Sequence, residues 1–182
     1  LICLFYAGRG QATEDPNDPL YENYIWPQEQ DIEENIEGTH FNSFFVGNEL
    51  DHYGKLMGMG IFCHELGHAL GLPDFYNTNP YVTLPRNPFG FWSIMDAGPY
   101  VNRANAPIGY TAYERSYLGW LKIKELTEPE TVKLDPVSNK EGQLAAIVRS
   151  PNSRLEYFIL ENRTSDTWYP KEYKENRGGG YE

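Results

Sequence analysis

The apolar positions of the chain fall into short segments separated by long polar stretches. A continuous apolar run at residues 1–6 predicts a buried strand, and alternating apolar positions at residues 39–46 predict a second strand. Between them, residues 7–23 carry the Gly, Pro and Asp clusters of a loop. The acidic stretch at residues 28–38 predicts a solvated loop or a short amphipathic element, and its spacing gives no support for a calcium site.

The longest helical pattern covers residues 53–70, where apolar side chains occur nearly all round the helix. Such a pattern is typical of a buried helix. Asn48 or Asp51 is positioned to cap its beginning. Glycine inside a helix costs about 1 kcal/mol relative to alanine, so each one predicts a close approach of neighbouring backbone. The glycines in question are Gly54, Gly58, Gly60 and Gly67.

The second half of the chain mixes irregular and regular segments. A Pro- and Asn-rich loop is predicted at residues 75–91, and a core helix at residues 110–121. Alternating segments predict strands, the last two joined by a hairpin turn. The strands are at residues 122–135, 143–149 and 155–161, and the turn is at residues 152–154. Helices and strands together predict an α+β fold.

The composition of the chain argues against some classes of partner. The net charge of −11 argues against nucleic acid or an anionic membrane as the partner. No apolar run approaches the roughly 20 residues of a membrane span. The chain opens within a strand and ends at residues 178–182 without a finished element, so we expect a piece of a longer protein. Cys3 and Cys63 are interpreted as two buried free thiols rather than a disulfide.

The main candidate catalytic and metal-binding residues lie in the segment HELGHALGLPD, which starts at His64. On a helix, His64 and His68 project from one face, one turn apart, where both can bind a metal ion. Glu65 can reach a water on that metal. Gly71 is positioned to end the helix in a left-handed conformation, so that the chain turns back and Asp74 supplies a third ligand. Three protein ligands leave one position open, as in catalytic zinc sites.

A short HExxH pattern also occurs in helices by chance, as two surface histidines. Three features favour a metal site here: Gly71 and Asp74 at their spacing, an apolar helix around the polar trio, and a Ser-Ile-Met segment at residues 93–95. Buried polar side chains are costly unless they are paired or bound to metal. The remaining histidines, His40 and His52, are interpreted as surface or capping residues rather than ligands.

Several blocks of this sequence resemble the M6 family of metallopeptidases, the immune inhibitor A group. They are MGMGIFCHELGHALGLPDFY at residues 57–76, FWSIMDAG at 91–98, APIGYTAYERSYLGWL at 106–121 and FILENR at 158–163. The snapalysins share HExxHxxGxxD, but the flanking blocks are similar to M6. The resemblance spans most of the chain, to about Arg163.

The resemblance implies a metzincin-type zinc peptidase fold. It implies one catalytic domain over residues 1–182, with a twisted mixed sheet and the active-site helix in an upper lobe at residues 1–71. An irregular lower lobe and following strands would occupy residues 72–182. Met95 matches the methionine of the Met-turn beneath the metal, with an ordinary core methionine as the alternative.

Many metzincins carry a tyrosine two residues after the Met-turn methionine, where this sequence has Ala97. Tyr100 or Tyr110 could approach the site instead, although each can also be a packing residue. The strand at residues 39–46 is a candidate for the edge strand that runs alongside the substrate in zinc peptidases.

The resulting hypothesis is a secreted or cell-surface zinc endopeptidase acting on protein or peptide substrates. Zinc would be held by His64, His68 and Asp74, with Glu65 as general base. Calcium is a further expectation from the family, without named ligands. We expect no nucleic acid and no membrane insertion, and a monomer is favoured. The alternatives are a non-catalytic, zinc-stabilised binding or adhesion module and a metal-dependent hydrolase acting on something other than peptides.

Overall fold

The structure, a computed structural model, describes residues 1–164 except residues 80, 82 and 84. The chain divides into two compact units, Leu1–Ile108 and Gly109–Glu182. Residues 165–182 of the expected lower lobe lie outside the described residues. The single catalytic domain and its lobe boundary at residue 71 therefore stay predictions.

The first unit contains a three-stranded mixed sheet. Its strands are β1 (Ile2–Arg9), β2 (Gln28–Ile36) and β3 (Thr39–Leu50). They lie in the order β1-β3-β2, with β1 parallel and β2 antiparallel to β3. The strand predicted at residues 39–46 is thus confirmed and longer than expected. Its expected place at the edge is wrong, because β3 is the central strand and β2 is the outer strand on one side.

The acidic stretch at residues 28–38 is a strand and a turn rather than a solvated loop. Glu37 and Gly38 both have positive φ, 50° and 81°, which matches the tight hairpin turns that suit twisted strands. Ile36 and Thr39 pair on either side of this turn. Most side chains of β2 remain exposed, since an outer strand can present acidic groups to solvent.

The strand predicted at residues 1–6 forms as β1, but the expectation that it is buried is wrong. Leu4 is 53% exposed and Phe5 is 64% exposed. The reason is its outer position, with one neighbouring strand, β3, on which to pack. Cys3 and Cys63 are free thiols as predicted, but Cys3 is exposed and Cys63 is half-buried.

The central helix, α1, spans Gly60–Ala69 and begins seven residues later than predicted. The preceding residues form a turn in which the Asp51 carboxylate accepts hydrogen bonds from the amides of Tyr53 and Lys55, each at 2.9 Å. The Asn48 amide donates to the Leu50 carbonyl at 2.7 Å. The prediction that Asn48 or Asp51 caps the helix is therefore wrong, because the polar groups of both residues close this turn instead.

Close backbone approach explains two of the four glycines. A Cβ on Gly58 would collide with the backbone of Ala104, and a Cβ on Gly60 with the Pro99 carbonyl oxygen. The prediction is wrong for Gly54, which faces open space and has a φ of 71° in the turn before the helix. Gly67 is buried within α1.

The helix packs on the sheet through aromatic side chains. Phe62 of α1 lies 5.3 Å from the Phe45 ring of β3, measured between ring centroids, and Phe45 lies 5.5 Å from Phe5. Phe45 is 2% exposed. Burying such rings is the main source of stabilisation at this contact, so the sheet fixes the position of α1.

The second unit contains α2 (Ala112–Tyr117) and the strands β4 (Lys124–Glu125), β5 (Ala145–Arg149) and β6 (Tyr157–Glu161). The strand order is β4-β5-β6, with β4 parallel and β6 antiparallel to β5. The predicted hairpin between the last two strands is confirmed. The strand predicted at residues 122–135 shrinks to the two residues of β4.

The helix predicted at residues 110–121 forms in part, as α2. Thr111 and Glu114 make a capping box at its start, with Glu114 fully buried. Gly119 has a φ of 74° and ends the segment, because a left-handed residue stops helical hydrogen bonding.

The elements together confirm a mixed α+β fold. In the described part of residues 75–91 the chain is largely irregular, as predicted, apart from a short 3-10 turn that begins at Gly90. Within the described residues, α1 and α2 are each shorter than the bilayer is thick, and no helix could cross a membrane.

Candidate metal centre

Helix α1 brings its two histidines together. The His64 and His68 rings lie 4.7 Å apart, and their Nε2 atoms are separated by 3.2 Å. The helix ends as the sequence predicts: Gly71 has a φ of 95°, and the amide of Leu72 donates to the Gly67 carbonyl at 2.9 Å. This Schellman-type end turns the chain back towards the histidines.

Asp74 lies at the end of this turn. Its Oδ1 atom is 3.2 Å from Nε2 of His64 and 3.2 Å from Nε2 of His68. The three potential ligand atoms therefore form a nearly equilateral triangle. Tetrahedral zinc with bonds of 2.0–2.1 Å to nitrogen or oxygen requires ligand separations of about 3.3 Å. The triangle has the size that a zinc ion needs.

Backbone carbonyls fix the orientation of both imidazoles. Nδ1 of His64 donates to the Ile94 carbonyl and Nδ1 of His68 donates to the Leu72 carbonyl, each at 2.8 Å. A carbonyl oxygen only accepts, so the proton of each neutral ring is on Nδ1 and the Nε2 lone pair faces the other ligands.

The Asp74 oxygen gives a second indication of a cation. Oδ1 is buried and, among the described residues, has no hydrogen-bond donor. Three lone pairs thus converge on one point, which is unfavourable unless a positive charge lies between them. The donor set of two imidazoles and one carboxylate fits zinc.

Without a metal, the same crowding changes the protonation of these groups. Pairing with the Asp74 carboxylate, whose Oδ1 lies 3.2 Å from its Nε2 atom, raises the pKa of His68 to about 9. Burial by itself would raise the pKa of Asp74, but the nearby His64 and His68 rings hold it well below its usual range. The group therefore attracts a proton where a metal ion would otherwise bind.

Glu65 follows the first histidine and is 9% exposed. Its Oε2 atom accepts a hydrogen bond from the backbone amide of Glu29, at 2.9 Å. Burial raises the pKa of Glu65, while the nearby His64 and His68 oppose that effect. The outer strand β2 therefore holds the carboxylate that the sequence predicts as general base.

Met95 is fully buried in a turn at residues 93–97. Its carbonyl accepts a hydrogen bond at 2.8 Å from the amide of Phe75, which is the residue directly after Asp74. The preceding residue, Ile94, contacts His64 as described above. The assignment of Met95 as a Met-turn methionine stays a prediction, and Ala97 follows in the same turn.

Tyr76 is a neighbour of the site that the sequence pattern missed. Its ring stacks on His64 with centroids 6.2 Å apart and an interplanar angle of 21°. Its side chain hydrogen-bonds to Asp74, and burial together with the Asp74 charge raises the pKa of the Tyr76 hydroxyl. The available signal was its position, two residues after the third ligand.

The other tyrosines and histidines differ in their relation to the site. Burial and the negative charge of Glu65 raise the pKa of Tyr100, so Tyr100 lies within electrostatic reach of the site. Tyr110 belongs to the second unit, and its approach stays a prediction. His40 pairs with Glu33 and His52 with Glu14.

Among the residues described, the one group of three side chains able to hold a metal is His64, His68 and Asp74. His40 and His52 lie outside this group.

Comparison with known proteins identifies relatives. The family model described as "Immune inhibitor A peptidase M6, catalytic domain" matches residues 20–122. The pre-pro-metalloprotease PrtV of Vibrio cholerae serotype O1 is 27% identical over 177 residues, which cover 85% of this chain and 19% of the relative. Immune inhibitor A of Bacillus thuringiensis subsp. alesti is 25% identical over 141 residues, which cover 69% of this chain and 20% of the relative.

The chain thus spans about a fifth of the length of these curated relatives. No solved structure matches it.

Proposed function

Because the chain belongs to the immune inhibitor A family of M6 metallopeptidases, we propose that it is a zinc-dependent endopeptidase that cleaves extracellular proteins. The resemblance inferred from the sequence blocks is thereby confirmed. The observation that carries the proposal is the convergence of three ligand atoms, 3.2 Å apart, beside a buried glutamate.

His64, His68 and Asp74 are the proposed ligands, on the strength of their geometry and of the buried Asp74 oxygen. A zinc ion at this position would lower the pKa of a bound water and polarise the scissile carbonyl. The carbonyls of Ile94 and Leu72 accept hydrogen bonds from the Nδ1 atoms, so Nε2 is the atom that each ring offers to the metal.

Glu65 is the proposed general base. It accepts a proton from the attacking water and then delivers it to the leaving amine. The amide of Glu29 supports this role by holding one carboxylate oxygen, which leaves the other free to contact the water. Its raised pKa brings the carboxylate closer to the range in which a base can also return its proton.

The outer strand β2 is the proposed support for an extended substrate. Its Glu29 amide points away from β3 and towards the helix, so the outward-facing backbone groups of β2 border the site. A peptide that adds to this edge would run alongside Glu65. This role replaces the one expected for residues 39–46, which form the central strand.

Two alternatives remain distinct from this proposal. A zinc-stabilised binding module would need the three ligands but no base, and the buried Glu65 held by a backbone amide argues against it. A hydrolase acting on non-peptide substrates would share the same site, and only cleavage assays separate it from a peptidase. Secretion, calcium binding and a monomeric state stay predictions from the family.

The test is cleavage of casein by wild type, Glu65→Ala and Glu65→Gln, with zinc content measured for each. We expect both variants to retain one zinc per chain and to lose about 10²- to 10⁴-fold in cleavage rate, the usual contribution of a general base. Glu33→Ala is the control, since it removes an exposed carboxylate from β2. Casein cleavage that survives in both Glu65 variants would rule out this assignment.

A further inference from the structure

The turn at residues 93–97 contacts both segments that carry the candidate metal ligands. Ser93 and Met95 are fully buried, and Ile94 is 1% exposed. Two consecutive carbonyls of this turn reach the ligand segments: that of Ile94 accepts from His64 Nδ1, and that of Met95 accepts from the Phe75 amide, each at 2.8 Å. The turn therefore contacts both the first ligand and the residue after the third.

Asp96 holds this turn against a neighbouring segment. Its carboxylate accepts hydrogen bonds from Asn87 Nδ2 at 2.6 Å, from the Phe89 amide at 2.8 Å and from the Gly90 amide at 3.0 Å. The amide of Ala97 adds a bond to the Gly90 carbonyl at 3.0 Å. These bonds tie both ends of residues 87–90 to the turn.

The carboxylate of Asp96 is costly to bury. Asp96 is 2% exposed, and a buried charge destabilises a fold unless it is fully hydrogen-bonded. The three donors described above satisfy it, two of them backbone amides that can point nowhere else without breaking the turn. A neutral apolar residue of similar size would fill the space but would not bind these donors.

We propose that Asp96 is a positioning residue for the metal site: its carboxylate fixes the turn whose Ile94 and Met95 carbonyls orient His64 and the Asp74 segment. This inference rests on the proposed function, because it concerns metal binding by the same three ligands. Asp96 acts through the turn and contacts neither ligand side chain itself.

The physical effect is on the orientation of the ligands. If the turn loosens, the Ile94 carbonyl shifts, and the His64 ring can rotate or change tautomer. The Phe75 amide loses its fixed partner, and Asp74 moves with it. Interactions that orient metal ligands typically contribute about 10- to 100-fold to metal affinity.

The experiment measures zinc affinity by competition with a chelator, and the visible absorption spectrum of the cobalt-substituted protein. In Asp96→Ala we expect zinc affinity to fall by about 10- to 100-fold, with an altered cobalt spectrum. In Asp96→Asn the amide oxygen can accept from both backbone amides while the Asn87 amide turns over. We therefore expect most of the affinity to return.

Asp51→Ala is the matched control. Asp51 is 4% exposed, lies in the same unit and accepts from two backbone amides in a turn, but it contacts no carbonyl that orients a ligand. We expect this variant to lose stability in urea while keeping wild-type zinc affinity and the wild-type cobalt spectrum. An equal loss of affinity in Asp51→Ala would overturn the proposal, because general destabilisation would then explain both variants.

Wild-type affinity and an unchanged spectrum in Asp96→Ala would overturn it too. If Asp96→Ala does not fold, Asn87→Ala removes one donor at an exposed position and should weaken zinc binding several-fold. Unchanged affinity there would count against the proposal. Failure of the wild-type chain to bind zinc or cobalt at all would instead contradict the proposed function.

Discussion

At the scale of single residues, backbone groups position the side chains of the candidate metal centre. The carbonyls of Ile94 and Leu72 set the tautomers of the two histidines, and the amide of Glu29 holds Glu65. These contacts depend on where the backbone lies. Small residues at the start of α1 allow neighbouring backbone to approach closely, so we expect a larger side chain there to disturb the packing around the site.

Gly60→Ala tests this dependence. Alanine is the better helix former by about 1 kcal/mol, but its Cβ would meet the Pro99 carbonyl oxygen, a backbone atom that cannot rotate away. We expect the variant to lose roughly 1–3 kcal/mol of unfolding free energy, as is usual for overpacking. The measurement is the urea midpoint followed by circular dichroism.

Gly54→Asn is the comparison for Gly60→Ala. Gly54 faces open space with a φ of 71°, a conformation that asparagine tolerates. We therefore expect a smaller loss of unfolding free energy than in Gly60→Ala. A Gly60→Ala protein at least as stable as wild type would show that this approach of backbone to helix is not required.

At the scale of elements, the sequence predicts the convergence of the candidate ligands but misses the start of α1 and the outer strand β2. His64, His68, Gly71 and Asp74 lie within one helix and its end, so their spacing alone determines which face they share. The start of α1 was missed because the residues before it close a turn around Asp51. Helix propensity does not reveal such side-chain hydrogen bonds to the backbone.

The outer strand β2 was missed for a different reason. Its acidic sequence, QEQDIEENI, lacks apolar alternation because most of its side chains face solvent. Its one local signal was the Glu-Gly turn at residues 37–38. Its contact with Glu65 is a tertiary contact 36 residues away, which no local pattern contains.

Glu29→Pro tests whether β2 supports the general base. Proline removes the amide that bonds Glu65, and an outer strand tolerates proline where its amide points outward. A hydrogen bond to a charged group contributes about 1.5–3 kcal/mol, so we expect casein cleavage to fall roughly tenfold or more. Zinc content should be unchanged, since Glu65 is not a ligand.

Glu29→Ala controls for other effects of that change, because it removes the side chain and keeps the amide that bonds Glu65. It should cleave casein much faster than Glu29→Pro. Equal losses in the two variants would indicate that the Glu29 side chain, rather than this amide, matters.

At the scale of the whole molecule, every residue of the proposed site lies in the first unit, residues 1–108. The family match at residues 20–122 extends beyond it into the start of the second unit. The net charge is −11, and in the part of the chain that the structure describes no helix is long and apolar enough to cross a membrane.

We propose that one zinc ion, bound by His64, His68 and Asp74, makes this chain a peptidase. The most direct measurement is to remove metal with a chelator, add zinc in steps and follow casein cleavage against zinc bound per chain. We expect no cleavage without metal and a rise that ends at one zinc per chain. Cleavage that persists in the metal-free protein, or one bound zinc with no cleavage, would contradict it.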